Sequence, residues 1–138
     1  MSGPLRSAAR WVLRGQGVYY VLTGAWPLFS LRSFEWVTGP KNDDWLVQTV
    51  GVLAIVIGTT LLVGAWQEHL SVETLVLSVG TAAGFAAVDV VFVLGGRIST
   101  VYLADALVEL LVVGSGLAWW RRVSGQPTAD HGQHTGHR

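Results

Sequence analysis

Cysteine is absent from the sequence, which excludes disulfide bonds, thiolate metal sites and a cysteine nucleophile. Charge is scarce as well, because Asp, Glu, Lys and Arg make up 13% of the residues, against roughly a quarter in ordinary soluble domains. Acidic and basic residues balance to a net charge of zero, so no surface for nucleic acid is expected. The 138 residues correspond to one domain.

Catalytic motifs are also missing. The sequence has no nucleophile triad, P-loop, dinucleotide-binding fingerprint or HExxH motif. His69 is the one histidine outside the C-terminal tail, so haem ligation from both faces would require two chains. The sequence therefore favours a role without catalysis and without a nucleotide or metal cofactor.

Long apolar runs are what the sequence has instead. The runs at 45–66, 73–94 and 98–120 are each long enough to cross the roughly 30 Å hydrocarbon layer of a bilayer. A weaker run at 12–31 contains Arg14, Gln16 and Pro27, but a long arginine side chain near a helix end reaches the headgroups. A soluble bundle would need polar helix faces, which the three stronger runs lack. A cleaved signal peptide would need a small-residue cleavage site, and none follows the first run. We therefore predict an all-α fold, an antiparallel four-helix transmembrane bundle over 12–122.

Arginine and tryptophan positions predict the orientation. Five arginines lie near the start of the first span or just after the end of the last span, namely Arg6, Arg10, Arg14, Arg121 and Arg122. Basic flanks mark the cytoplasmic side, and all seven tryptophans lie near predicted span ends, where the headgroup layer suits indole. We predict a multi-pass membrane protein with both termini on the cytoplasmic side. Residues 1–11 form the N-terminus and 123–138 a disordered cytoplasmic tail.

The tail carries a histidine at every third position, at His131, His134 and His137. Such tracts bind transition metals, but glycines between these histidines oppose a fixed geometry. The tract is a weak metal candidate, and no metal site is predicted.

Three acids lie inside the predicted spans. Asp105 and Glu109 are four residues apart and share one helix face, and a short loop brings Asp89 of the preceding span beside them. An ionised carboxylate at the centre of a bilayer costs at least about 2.5 kcal/mol. These acids must therefore face inward, carry a proton or have partners.

We predict a polar pocket that opens towards the outer surface and contains these acids with Tyr102, Arg32 and Arg97. One interpretation is a binding site for a lipid, a quinone headgroup or a proton. The alternative is an ion-pair network that only fixes helix register. The functional hypotheses are an accessory or ligand-binding bundle, a proton-coupled small-solute transporter and a purely structural partner subunit.

The stretch FEWVTGPK, at 34–41, joins the first two spans. We predict that Phe34 and Trp36 lie at headgroup level and that Gly39-Pro40 turns the chain. A short interfacial helix over 33–37 would form a lid, with Glu35 directed towards the acids.

Two segments, FEWVTGPKNDDWLVQTVG (34–51) and ISTVYLADALVE (98–109), together with the pattern of spans resemble small bacterial integral membrane proteins of the DoxX-like kind. The resemblance implies a four-helix bundle of the bacterial cytoplasmic (inner) membrane. Some relatives in that group are associated with quinone-linked redox systems. It assigns no activity to any residue. The expected partners are the lipid bilayer and a membrane partner subunit or a second copy of the chain, whose approach the glycines of Gly80-x-x-x-Gly84 would permit.

Overall fold

The chain forms five α-helices within the part that the structure describes. A computed structural model describes residues 3–124, so the predicted tail lies outside the described residues from position 125 onwards, including its three histidines. The helices are α1 (Gly3–Phe29), α2 (Leu31–Thr38), α3 (Asp44–Trp66), α4 (Val72–Leu94) and α5 (Tyr102–Ser124). No strand occurs in this range, and the prediction of an all-α fold is confirmed.

Three helices are long and apolar enough to cross a membrane. They are α3, α4 and the part of α5 from Tyr102 to Arg122. Their length and composition indicate a membrane protein. The helix α1 is longer, with 27 residues, and begins well before the predicted span, but it is not one of these three because polar residues interrupt its apolar character.

The helix α2 follows α1 after a single residue. Ser30 is its N-cap, and its Oγ accepts a hydrogen bond from the Ser33 backbone N–H. Gly39 ends the helix with a φ of 89°, a left-handed conformation that glycine adopts without strain. The predicted short helix over 33–37 is thus part of a slightly longer one.

Glycines let α1 and α3 pack closely in opposite directions. A Cβ added at Gly24 would lie 2.5 Å from the carbonyl oxygen of Gly51, and one at Gly17 would lie 2.8 Å from that of Gly58. Since both residues of each pair are glycines and have no side chain, the backbones of α1 and α3 are in contact at two points along the helices. Gly51 and Gly58 of α3 therefore each lie directly against a glycine of α1.

The helices α4 and α5 form the second packed pair, joined by the short segment 95–101. A Cβ at Gly116 of α5 would lie 2.5 Å from the side chain of Val79 on α4. By contrast, nothing lies within 4 Å of a Cβ built at Gly80 or Gly84. In the described range, these two glycines face away from the neighbouring helices.

The polarity of the bundle is inverted relative to a soluble protein. Glu109 and Gln16 are buried at 1% and 4% exposure, whereas Leu111 and Val91 are 67% and 63% exposed. Water would penalise such a surface, but hydrocarbon does not. The distribution therefore fits a bundle whose outer surface faces lipid.

Candidate functional site

The three acids predicted to cluster do lie together. Asp89 of α4 is 6% exposed and Glu109 of α5 is 1% exposed, while Asp105 is partly buried. Asp89 is close enough to interact electrostatically with both Asp105 and Glu109. The helical spacing within α5 and the short α4–α5 connection produce this arrangement.

Two consecutive tyrosines of α1 supply hydrogen-bond donors to the acids of α5. The Tyr20 hydroxyl donates to Oε2 of Glu109 at 2.8 Å, and the Tyr19 hydroxyl donates to Oδ1 of Asp105. Tyr20 is 1% exposed, and its ring packs edge-on against Phe85 of α4. The acids therefore bind α1 to α5 through neutral donors.

A glutamine continues this network to α4. The Nε2 of Gln16 donates to the Tyr20 hydroxyl at 3.1 Å and to the Ser78 carbonyl at 3.0 Å. The Ser78 hydroxyl donates back to Oε1 of Gln16 at 2.5 Å. Since all of these groups are buried, the network links three helices in surroundings where an unpaired polar group costs most.

Two carboxylate oxygens of the cluster have no partner. Oε1 of Glu109 and Oδ2 of Asp89 are buried and accept no hydrogen bond from any described residue. Over residues 3–124, no lysine or arginine forms an ion pair with the three acids. Three adjacent carboxylates without a counter-charge repel one another strongly in a nonpolar interior, so the cluster requires a proton or a bound group.

The three other residues predicted for this pocket make no hydrogen bond or ion pair with the acids. The side chains of Arg32 and Arg97 are exposed, and the Tyr102 ring lies 5.0 Å from the Lys41 Nζ in a cation–π contact. Arginine at a helix end can extend into water or the headgroup layer, which costs less than burial beside carboxylates. The predicted ion-pair network is therefore not formed by these residues.

The predicted lid residues pack at the junction of α1 and α2. Phe34 stacks edge-on against Trp26, with 5.7 Å between ring centroids, and Glu35 accepts a hydrogen bond from the Lys41 backbone N–H at 2.9 Å. Trp36 is 88% exposed. Glu35 thus shapes the turn into α3 and makes no hydrogen bond with the acids.

A groove reaches the acidic cluster between α1 and α5. Its volume is about 430 Å³. The polar end is formed by Gln16, Tyr19 and Glu109, and the remaining wall by Val12, Gly15, Val108, Leu111, Val112 and Ser115. The sequence predicts a pocket at the opposite mouth of the bundle, but this groove extends from the cluster towards the end at which α1 begins and α5 ends.

The groove combines an apolar wall with one buried, unpartnered carboxylate oxygen. Such a site suits the hydrogen-bonding head of a lipophilic molecule or a single proton. Within the described range, no group of three or more His, Cys, Asp or Glu residues could hold a metal ion.

Sequence reasoning missed the contribution of α1. Gln16, Tyr19 and Tyr20 lie three and four residues apart, so they share one face of the helix. A polar stripe inside an apolar span is the same kind of signal as a buried acid. Ser78 gave no such signal, since serine is common in membrane helices and bonds its own backbone.

Comparisons of the chain with protein-family models, with curated proteins and with solved structures gave no match.

Proposed function

We propose that the protein is an integral membrane protein with four spans, in which α1 crosses the membrane in addition to α3, α4 and α5. We propose further that it binds a lipophilic molecule in the groove between α1 and α5. The termini lie on the cytoplasmic side, and α2 lies in the opposite headgroup layer. Support for α1 as a span comes from its length of 27 residues and its glycine-mediated contact with α3 along two helical levels. A DoxX-like relationship remains a prediction from the sequence.

The observation that carries the binding proposal is the unpaired Oε1 of Glu109. It belongs to a side chain with 1% exposure that forms part of the wall of the groove. Leaving a buried acceptor without a partner costs about 1–3 kcal/mol, and more if it is charged. A ligand that supplies the missing hydrogen bond would recover this free energy.

The apolar wall and the single polar end define the ligand class. The ionised Glu109 would accept a hydrogen bond from a hydroxyl, whereas the protonated form would donate one to a carbonyl. Lipids and quinones carry one or both of these groups on an apolar body that matches the valine and leucine wall. The ligand is therefore a lipophilic hydroxyl or carbonyl compound.

The substitution Gly15→Leu tests the proposal by filling the groove. A Cβ at Gly15 meets nothing within 4 Å, so the new side chain occupies the groove without a clash at its base. Leucine also favours a helix over glycine by roughly 1 kcal/mol in exposed positions. We expect a folded protein that loses its copurified lipophilic ligand, as measured by native mass spectrometry from mild detergent.

Gly84→Leu is the matched control, because Gly84 also lies within a helix and its Cβ would meet nothing within 4 Å, but it is on α4 and outside the groove. This variant should retain the ligand as the wild type does. Equal retention by both variants would refute the groove as the binding site.

A second candidate function is proton-coupled transport, which the three carboxyls without a cationic partner favour. If Glu109 carries the proton, Glu109→Gln should assemble normally in proteoliposomes but abolish solute-dependent acidification measured with an entrapped pH dye. If the acids only set helix register, the same variant should lose assembly or thermal stability. If Glu109→Gln retains both solute-dependent acidification and normal assembly and stability, Glu109 neither carries the proton nor sets the helix register.

A further inference from the structure

A second cavity lies at the end of the bundle where α1 begins and α5 ends. Its volume is about 220 Å³. Residues of α1, α4 and α5 line it, and most of the wall is apolar, including Leu13, Leu75, Val79 and Val112. In the proposed topology this cavity opens near the cytoplasmic headgroup layer.

The polar groups of this cavity have an unusual composition. The Ser78 hydroxyl already donates to Gln16, and the Ser115 hydroxyl donates to the Val112 carbonyl at 2.8 Å. The remaining polar side chains are Trp119 and Arg122. Both are donors without acceptor capacity, and no carboxylate lines the wall.

The indole of Trp119 is the decisive group. Its Nε1 is buried and has no acceptor among the described residues. An indole N–H finds a partner in most buried settings, so this donor points to an acceptor beyond the described residues. The guanidinium of Arg122, one turn further along α5, adds a positive charge at the same cavity.

We propose that this cavity binds one anionic phospholipid, whose phosphate accepts hydrogen bonds from Trp119 and Arg122 while an acyl chain lies along the apolar wall. Donors alone select an acceptor, and the full charge of arginine selects an anion over a neutral carbonyl. A free phosphate ion offers the same acceptor atoms, but it would leave the apolar wall of α1, α4 and α5 unfilled. The proposal therefore commits to the lipid. The cavity shares Val12, Val112 and Ser115 with the groove at Glu109, but Trp119 and Arg122 line this cavity alone.

Neighbouring residues of α5 provide closely matched controls. Arg121 carries the same charge as Arg122 but does not line the cavity. Trp120 is 56% exposed, whereas the neighbouring Trp119 is partly buried and its Nε1 is fully buried. The four variants are Arg122→Gln, Arg121→Gln, Trp119→Phe and Trp120→Phe. Each pair removes the same chemical group inside or outside the cavity.

The experiment is native mass spectrometry of the full chain in detergent, titrated with phosphatidylglycerol and phosphatidylcholine of identical acyl chains. We expect the wild type to prefer phosphatidylglycerol, and Arg122→Gln and Trp119→Phe each to reduce that preference roughly threefold to tenfold, the range for one hydrogen bond at a partly exposed site. Arg121→Gln and Trp120→Phe should retain it. Soluble glycerol phosphate should not displace the lipid.

Three outcomes would overturn the proposal. The wild type could bind both lipids equally, which would make the cavity a place for any acyl chain. Arg121→Gln and Arg122→Gln could reduce binding equally, which would show a diffuse charge effect. Glycerol phosphate could compete as well as the lipid does, which would show a soluble anion site. Gly15→Leu should leave the phosphatidylglycerol preference unchanged, so failure of the groove proposal is measured separately.

Discussion

Tyr20 illustrates how a single hydroxyl stabilises a buried acid in this bundle. It donates to Oε2 of Glu109 at 2.8 Å and accepts from Gln16 at 3.1 Å. The other oxygen of Glu109 is already unpaired. Tyr20 is thus the described side chain that satisfies this carboxyl, and its loss would leave both oxygens buried without a donor.

We therefore expect Tyr20→Phe to lower the free energy of unfolding in detergent by about 1–3 kcal/mol, the usual cost of an unsatisfied buried polar group. Thermal or steric-trapping unfolding measures the change. Tyr102→Phe is the control, because the Tyr102 ring contacts Lys41 through its face, and it should change stability by less than about 0.5 kcal/mol.

The double variant Tyr20→Phe with Glu109→Leu separates polar satisfaction from packing. Because replacing both partners by apolar groups is nearly neutral, it should recover most of the stability lost in Tyr20→Phe. If the double variant is less stable than either single variant, the hydroxyl and the carboxyl contribute independently, and our account of this pair is wrong.

At the residue scale, the sequence predicted the acids better than their partners. Asp105 and Glu109 must share a helix face at a spacing of four, and a short loop fixes Asp89 near them. The sequence assigns Arg32 and Arg97 to the pocket by their charge and by their position on the same side of the predicted spans as the acids. Long side chains at helix ends, however, have water as a competing partner. The positions of their side chains depend on loop conformation, which spacing within a helix does not determine.

The α1–α3 pair shows at the scale of an element why glycine spacing matters. Gly17 and Gly24 on α1 meet Gly58 and Gly51 on α3, and each contact is between backbone atoms. The sequence does not identify which two helices meet through these glycines. Glycines at equal spacing on two helices indicate a pair only after the direction of each helix is known.

Gly24→Ala should destabilise this pair by about 1–3 kcal/mol, the typical cost of overpacking. The new methyl group would lie 2.5 Å from the carbonyl oxygen of Gly51 and 2.9 Å from the Ala54 Cβ, and backbone cannot move aside cheaply. Gly84→Ala meets nothing within 4 Å and should be neutral or slightly stabilising, since alanine favours a helix. Equal unfolding temperatures for both variants would contradict the packing described for α1 and α3.

The helix α2 was predicted from the mixed aromatic and charged content of FEWVTGPK. The structure shows the helix from Leu31 to Thr38, held to α1 by a hydrogen bond of 2.9 Å from the Trp26 indole to the Ser33 hydroxyl. Its aromatic side chains suit the interfacial position that we propose for it. The role of α2 as a lid stays a prediction. In the structure, Glu35 accepts a hydrogen bond from the Lys41 backbone N–H and so shapes the turn into α3.

For the whole molecule, the distribution of polar groups has one consistent explanation. Polar side chains are shared among α1, α4 and α5 at the centre, while large apolar side chains such as Leu111 and Leu53 remain exposed. Apolar surface of this extent is found against lipid and not against water. The composition predicted this environment, whereas the number of spans depends on α1, whose polar stripe lowers its apolar character.

The most direct test of the account is the sidedness of four single cysteines, since the natural chain contains none. The four variants are placed at successive ends of the proposed spans: Ser7→Cys, Asn42→Cys, His69→Cys and Arg97→Cys. Each is treated with a membrane-impermeant maleimide, first in intact right-side-out vesicles and then after lysis. If α1 spans the membrane, the variants at 42 and 97 are labelled from outside, and those at 7 and 69 only after lysis. Labelling of positions 7 and 42 from the same side would contradict a transmembrane α1 and the four-span bundle built on it.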